Sequence, residues 1–240
     1  MDYEILPVGD MAMQIVFRAE PSESLQSTIQ HITKHIEKAD IQGVIELVPA
    51  LQSITVYFNP ILTTYQNLAA HLSEICRGSH TEERSFYKRT IILPTCYDGE
   101  DLEVVASRHG LSTEDVISIH STVDYLVYML GFLPGFPYLK GLPSVLTTPR
   151  LANPRLKVPK GAVGIGGDQT GVYPLESPGG WNLIGRTPVP LFDPEKTNPF
   201  LLKAGDYLRF KPISTGEYKE IENLVKENTY KVEVISIEND

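Results

Sequence analysis

From Gly131 onward, glycine and proline interrupt the chain every few residues, and no helical period returns until about Glu217. This is the strongest constraint on the fold. Proline breaks helix and sheet ladders, and glycine loses the most entropy on ordering, so such a stretch is built from short strands joined by turns. The expectation is a β-rich domain, a closed or nearly closed barrel.

The first 80 residues read differently. Ile15 to Phe17 predicts the core of an early strand. Leu25, Ile29, Ile32 and Ile36 recur at steps of four, three and four, the apolar stripe of an amphipathic helix, with Ser22 or Ser24 as its cap. Val44 to Val48 predicts a strand. Ile54, Val56 and Phe58 alternate with polar residues in another, closed by Asn59-Pro60. Tyr65, Leu68, Leu72 and Ile75 then form a second helical stripe. The order β-β-α-β-β-α predicts a small α+β sandwich over residues 1–80. The polar run GSHTEERSFYK (78–88) lacks periodicity, which places a linker at 81–88 and a second domain at 89–240. That domain is expected to open with a strand at Thr90 to Leu93. A helix capped by Asp98 and running to about Arg108 should follow, then another started by Ser112 and Asp115, with a short turn near Glu217 to Lys226.

A formal charge of -9 over 240 residues argues against a nucleic-acid partner and against electrostatic attachment to a membrane. No apolar run is long enough to span a bilayer. Met1 to Asp10 carries acids where a signal peptide would carry Lys or Arg. Two cysteines, Cys76 and Cys96, cannot build a disulfide framework, so a cytoplasmic location is expected.

The glycine run Gly161 to Gly171 invites a nucleotide-loop reading that fails on detail. Gly166 and Gly171 have the right spacing, but Val172 and Tyr173 stand where Lys and Ser/Thr are needed. Two readings are open: turns and bulges between short strands, or close backbone approach to a ligand. His31 and His35 lie four apart on a helix without a third ligand, and no metal site is expected. No nucleophile elbow and no complete catalytic apparatus is legible.

Residues 128 to 193 hold most of the informative side chains. Phe132, Phe136 and Tyr138, framed by Pro134 and Pro137, either enter the core as a rigid turn or wall an apolar pocket. Arg150 to Lys160 (RLANPRLKVPK) is a basic cluster in an acidic chain: either a solvated basic loop, or one whose prolines hold Arg155 in place for a carboxylate or phosphate. Gln169, Tyr173, Trp181 and Arg186 follow. His120 is either an acid/base or a satisfied core histidine.

Three strings carry a resemblance: GFLPGFPYLKGL (131–142), NPRLKVPKGAVGIGGDQTGVYP (153–174) and SPGGWNLIGRTP (177–188). The chain resembles the KipI-type, allophanate-hydrolase-subunit-1-like family, understood as the B subunit of prokaryotic 5-oxoprolinase. The resemblance implies a cyclophilin-like C-terminal β-barrel and partnership with the A and C subunits of 5-oxoprolinase. It implies cleavage of 5-oxo-L-proline to L-glutamate, driven by ATP bound at the level of the complex. Matching the family's strings makes His120, Arg155, Gln169 and Arg186 the catalytic candidates. Phe132, Phe136, Tyr138, Arg150, Tyr173 and Trp181 become the substrate- or partner-binding candidates. The family also implies an alternative: an inhibitor that binds a sporulation sensor histidine kinase and blocks its autophosphorylation. Prolyl isomerase activity is a third, weaker implication, because a fold does not confer a function.

Overall fold

The structure, a computed structural model, describes residues 2–20, 22–78 and 87–238. The chain divides into two compact units, Met1–Ser85 and Phe86–Asp240. Positions 81–86 of the expected linker lie outside the described residues, and 87 and 88 already belong to a strand.

In the first unit, β1 (Tyr3–Pro7), β2 (Ala12–Phe17), α1 (Glu23–Lys38), β3 (Val44–Pro49), β4 (Ser53–Phe58) and α2 (Tyr65–Gly78) follow in the order the periodicities predict. The strands form one antiparallel sheet in the order β1-β2-β4-β3. Because side chains alternate across a strand, Met13, Ile15 and Phe17 share a face with Ile54, Val56 and Phe58. The α1 stripe Leu25, Ile29, Ile32 and Ile36 closes on that face with Leu68 and Leu72 of α2. Each fully buried aliphatic side chain contributes about 1.5–3 kcal/mol, so this stripe far outweighs the helix cap. Ser22 provides the cap, its Oγ accepting from the Leu25 N–H at 3.2 Å.

The second unit opens with β5 (Tyr87–Thr95), α3 (Leu102–His109), α4 (Thr113–Ser121), β6 (Tyr125–Leu130) and β7 (Pro137–Lys140). Then come β8 (Arg155–Val158), β9 (Ala162–Gly166), β10 (Gln169–Val172), β11 (Ser177–Gly179) and β12 (Asn182–Arg186). It ends with β13 (Tyr207–Pro212), α5 (Thr215–Lys226) and β14 (Glu233–Glu238). Eight strands form a mixed sheet in the order β12-β9-β10-β7-β6-β13-β5-β14, in which β13 and β5 run parallel. β8 and β11 make a separate two-stranded ribbon. The large sheet curls into a half-barrel. Its edge strand β12 meets the residue after β5 through one bridge, Cys96 and Arg186 exchanging backbone hydrogen bonds of 2.8 Å. Ile91, Leu93, Val105, Val116, Tyr125, Val163, Ile165 and Phe210 fill the interior.

Two local expectations need correction. Asp98 does not cap α3; the helix starts at Leu102, because the Asp98 carboxylate is engaged by Arg186. The short turn near Glu217 is a 12-residue helix, α5, started by a capping box in which Ser214 and Glu217 satisfy each other's backbone N–H.

Candidate functional site

The glycine run resolves first. Trp181 lies flat against β9 and β10, and the glycines of those strands leave the room it needs. A Cβ on Gly166 would stand 2.3 Å from Trp181 Cδ1, and one on Gly171 2.8 Å from Cζ3. The run is a slot for an indole, and that occupancy denies its backbone to a phosphate. Phe136, Tyr173 and Trp181, each at most 5% exposed, pack with Val158, Ala162 and Leu183 as a satellite core. Their rings meet edge to face at centroid distances of 5.6–6.2 Å, a favoured arrangement for aromatic quadrupoles. Of the expected pocket walls, these three are core.

The polar candidates are largely engaged inside the protein. Arg155 Nη2 donates to both carboxylate oxygens of Asp101 at 2.8 Å, its Nε pairs with Glu100 at 2.7 Å, and Nη1 donates to the Trp181 carbonyl. Asp101, 8% exposed, also accepts the Leu183 N–H at 2.7 Å. The pair therefore ties the start of α3 to β8 and β12. Arg186 grips Asp98 through Nε and Nη2 and lies over the Tyr218 ring, 4.4 Å from its centroid. The Asp98 carboxylate raises the Arg186 pKa above the ordinary guanidinium value.

His120 is fully buried on α4. The Thr170 hydroxyl donates to the Gly164 carbonyl at 3.0 Å, so it accepts from His120 Nε2–H at 2.8 Å. Nδ1 then accepts the Tyr97 hydroxyl at 2.8 Å. Burial pushes the His120 pKa down to about 3, so the ring is neutral and structural. The unfolded chain protonates this ring below about pH 6.5 and the folded one does not. Stability is therefore expected to fall with pH between 6.5 and 3, by up to about 1.4 kcal/mol per unit from this group. Urea unfolding at stepped pH should show that slope, reduced in His120→Gln; an unchanged slope in the variant would remove His120 as its source.

The remaining four candidates are exposed or half-buried. Arg150 is exposed and lies over Trp181, 5.8 Å from the ring centroid, with no carboxylate within salt-bridge distance among the described residues. Tyr138 and Gln169 are half-buried. Phe132, 68% exposed, sits on the turn between β6 and β7 with φ +69° and rests edge-on against Phe136. Left-handed backbone at an aromatic residue is strained, of order 1–3 kcal/mol.

Sequence reasoning missed a cleft of about 290 Å³ elsewhere on this unit, lined by Arg89, Val189, Asn198, Leu201, Val225, Asn228 and Tyr230 among others. The proline-framed segment 190–199 was its one visible signal. Among the described residues, no group of three or more His, Cys, Asp or Glu side chains is placed to hold a metal ion. No described helix is long and apolar enough to cross a membrane.

Residues 3–202 match the family described as carboxyltransferase domain, subdomain C and D. The chain is 40% identical over 233 residues to the B subunit of 5-oxoprolinase from Bacillus subtilis (strain 168), covering 90% of this chain and 95% of that one. It is 44% identical over 216 residues to the corresponding 5-oxoprolinase protein of Escherichia coli O157:H7, covering 87% and 95%. Among solved structures, the protein TTHA0988 superposes with a TM-score of 0.76 at 37% identity, over 85% of this chain. The match spans only 40% of that longer protein. The chain belongs to the family of 5-oxoprolinase B subunits, built on the carboxyltransferase subdomains C and D.

Proposed function

We propose that the chain is a non-autonomous component of an ATP-dependent 5-oxoprolinase, which opens 5-oxo-L-proline to L-glutamate in a complex completed by the A and C subunits. The near full-length match to proteins named as the B subunit of 5-oxoprolinase carries this reading. Hydrolysis of the lactam consumes one water, and ATP hydrolysis to ADP and phosphate consumes a second. An unstrained lactam is a poor electrophile; phosphorylating its oxygen makes the ring carbon attackable and supplies a leaving group. Such chemistry needs mobile acid/base groups and unpaired cations. Here His120 is buried and neutral, while Arg155 and Arg186 are bound to carboxylates. The glycine run is filled by Trp181. The reading therefore assigns nucleotide and phosphoryl transfer to partner proteins and gives this chain a binding and positioning role, with a cyclophilin-like half-barrel as its framework. The test is ATP-dependent glutamate release from 5-oxoproline by this chain alone, by the A and C subunits alone, and by all three. Release only by the full mixture is expected. Equal release without this chain would overturn the reading.

A second reading, inhibition of a sporulation sensor histidine kinase, draws on Phe132, an exposed aromatic on a strained turn of the kind that anchors protein contacts. Phe132→Gly relieves the backbone strain and removes the ring. Under this reading it abolishes kinase inhibition without lowering stability; inhibition at the parent level would exclude it.

A further inference from the structure

The four-stranded sheet of the first unit packs only one of its faces. Met13, Ile15, Phe17, Ile54, Val56 and Phe58 point toward α1 and α2. The alternation that buries them sends their neighbours to the opposite side, which no described element of this unit covers. The pairing registers give that outer face its rows. In the central row Leu6 of β1 stands opposite Gln14 of β2, Gln14 opposite Thr55 of β4, and Thr55 opposite Val48 of β3. A flanking row runs through Ala12, Tyr57 and Glu46. Leu6, Val48 and Tyr57 are exposed. Beside Tyr57 the rim adds Met11, whose carbonyl accepts the Phe58 N–H at 2.9 Å, and Ile45, the extra residue of the β3 bulge. Both are more than half exposed. Single apolar side chains in water need no explanation, but a group of them on one sheet face marks a contact surface.

The chemistry of the face selects its partner. Glu4 is paired with Arg18, which leaves Glu46 as the one unpaired charge among the outward-facing residues of the four strands. The polar centre is largely self-satisfied: Gln14 Nε2 donates to Ser53 Oγ at 3.1 Å and to Thr55 Oγ1 at 3.3 Å, so covering the carboxamide strands neither of its donors. A strongly charged partner finds little here to pair with. Two copies of a chain of net charge -9 repel each other wherever acids meet, and a nearly charge-free face is where they approach at least cost.

The face is also self-complementary. Its central row reads the same in both directions: apolar Leu6, polar Gln14, polar Thr55, apolar Val48. A two-fold axis lying between two such sheets stacks β1 over β3 of the other copy, or each strand over its own counterpart. In both arrangements apolar ends meet apolar ends and the polar centres meet, as an isologous interface requires. Four strands about 4.8 Å apart, with about 3.3 Å per residue, make a face of roughly 350 Å² in projection. Side-chain relief and the rim raise the accessible area, so two copies bury on the order of 1,000 Å², the lower limit of a specific interface.

We infer that the outer face of this sheet is the contact between two copies of the chain, with the two sheets packed about 10 Å apart between outer layers of helices. The contact does not depend on the reading of function. An interface of this size implies a dissociation constant on the order of micromolar, so monomer and dimer exchange as concentration changes.

The test is sedimentation velocity of the full chain at concentrations from below to well above that constant. The parent is expected to move from the monomer mass to twice that mass. Leu6→Glu with Val48→Glu, and Leu6→Lys with Val48→Lys, each set like charges against each other in both stacking arrangements. Each double variant should raise the dissociation constant about hundredfold or more. Both side chains stand in water on edge strands, so the unfolding midpoint of the monomer should hold. An equimolar mixture of the two variants should associate again, because acid then meets base. Leu156→Lys, at an exposed leucine of the second unit, should leave the parent equilibrium unchanged. A parent that stays monomeric at every concentration, an acidic variant that dimerises like the parent, or variants that separate and do not recombine would each overturn the inference. A monomeric parent that associates only with added A or C subunits, and loses that association in the acidic variant, would overturn it in favour of a different protein on the same face.

Discussion

Replacing Gly166 with alanine is expected to destabilise the C-terminal unit by about 2–3 kcal/mol, the cost of overpacking a filled site. Gly166 does not occupy the left-handed region, so the penalty is steric. The added methyl would stand 2.3–2.6 Å from three indole atoms of Trp181, a rigid ring already closed in by Phe136 and Tyr173. Urea unfolding gives the free energy. Trp181 is the sole tryptophan, so its fluorescence reports whether the ring has left its slot. The same substitution made beside Trp181→Leu should cost much less, because the colliding atoms are gone and the two sites couple. Equal penalties in both backgrounds would show that the glycine serves the backbone and not the indole.

Arg155→Ala should be comparably severe, about 2–4 kcal/mol, and its effect should appear as stability and not as chemistry. Removing one partner of a largely buried ion pair strands the other charge. Asp101 would keep the Leu183 N–H but lose its guanidinium. The expected loss sits below the range for a fully buried pair because the Arg155 side chain retains 22% exposure and Glu100 is mostly in water. For a domain of this size the melting temperature should drop by roughly 2–4 °C per kcal/mol. Arg155→Ala with Asp101→Asn should recover part of the loss, since no charge is left unpaired. In the reconstituted complex, turnover per folded chain should be unchanged. Lost turnover at an unchanged melting temperature would return Arg155 to the reacting site. Arg150→Ala is the contrast: exposed and without a carboxylate partner among the described residues, it should change stability by no more than about 0.5 kcal/mol.

The N-terminal unit is legible because its signals are local. The α1 stripe from Leu25 to Ile36 and the alternation through Ile54, Val56 and Phe58 each state, within a few residues, which face must leave water. Element order follows from those periods alone. The capping box at Ser112 and Asp115 is readable for the same reason. The box at Ser214 and Glu217 is equally local, yet the expectation of a short turn there falls well short of the helix it starts. Family membership is likewise carried by linear strings.

Pairing across long separations is not legible. Arg155 and Arg186 look like free cations beside a basic stretch, yet their carboxylates come from Asp101 and Asp98, 54 and 88 positions earlier. His120 finds Thr170 on a strand 50 residues later. A side chain's charge is fixed by its chemistry, but its availability depends on which groups the chain brings beside it. The glycine run shows the same division. Its composition left open turns and bulges or close approach by a ligand, and only the folded sheet shows that what approaches is Trp181. By itself, the sequence determined the elements of the N-terminal unit, the mixture of helix and strand, and the family. The tertiary structure decided which candidate groups are consumed in holding the half-barrel together. It also decided that a cleft opens where Arg89, Asn198 and Asn228 converge from three distant segments, because burial and pairing are properties of neighbours in space.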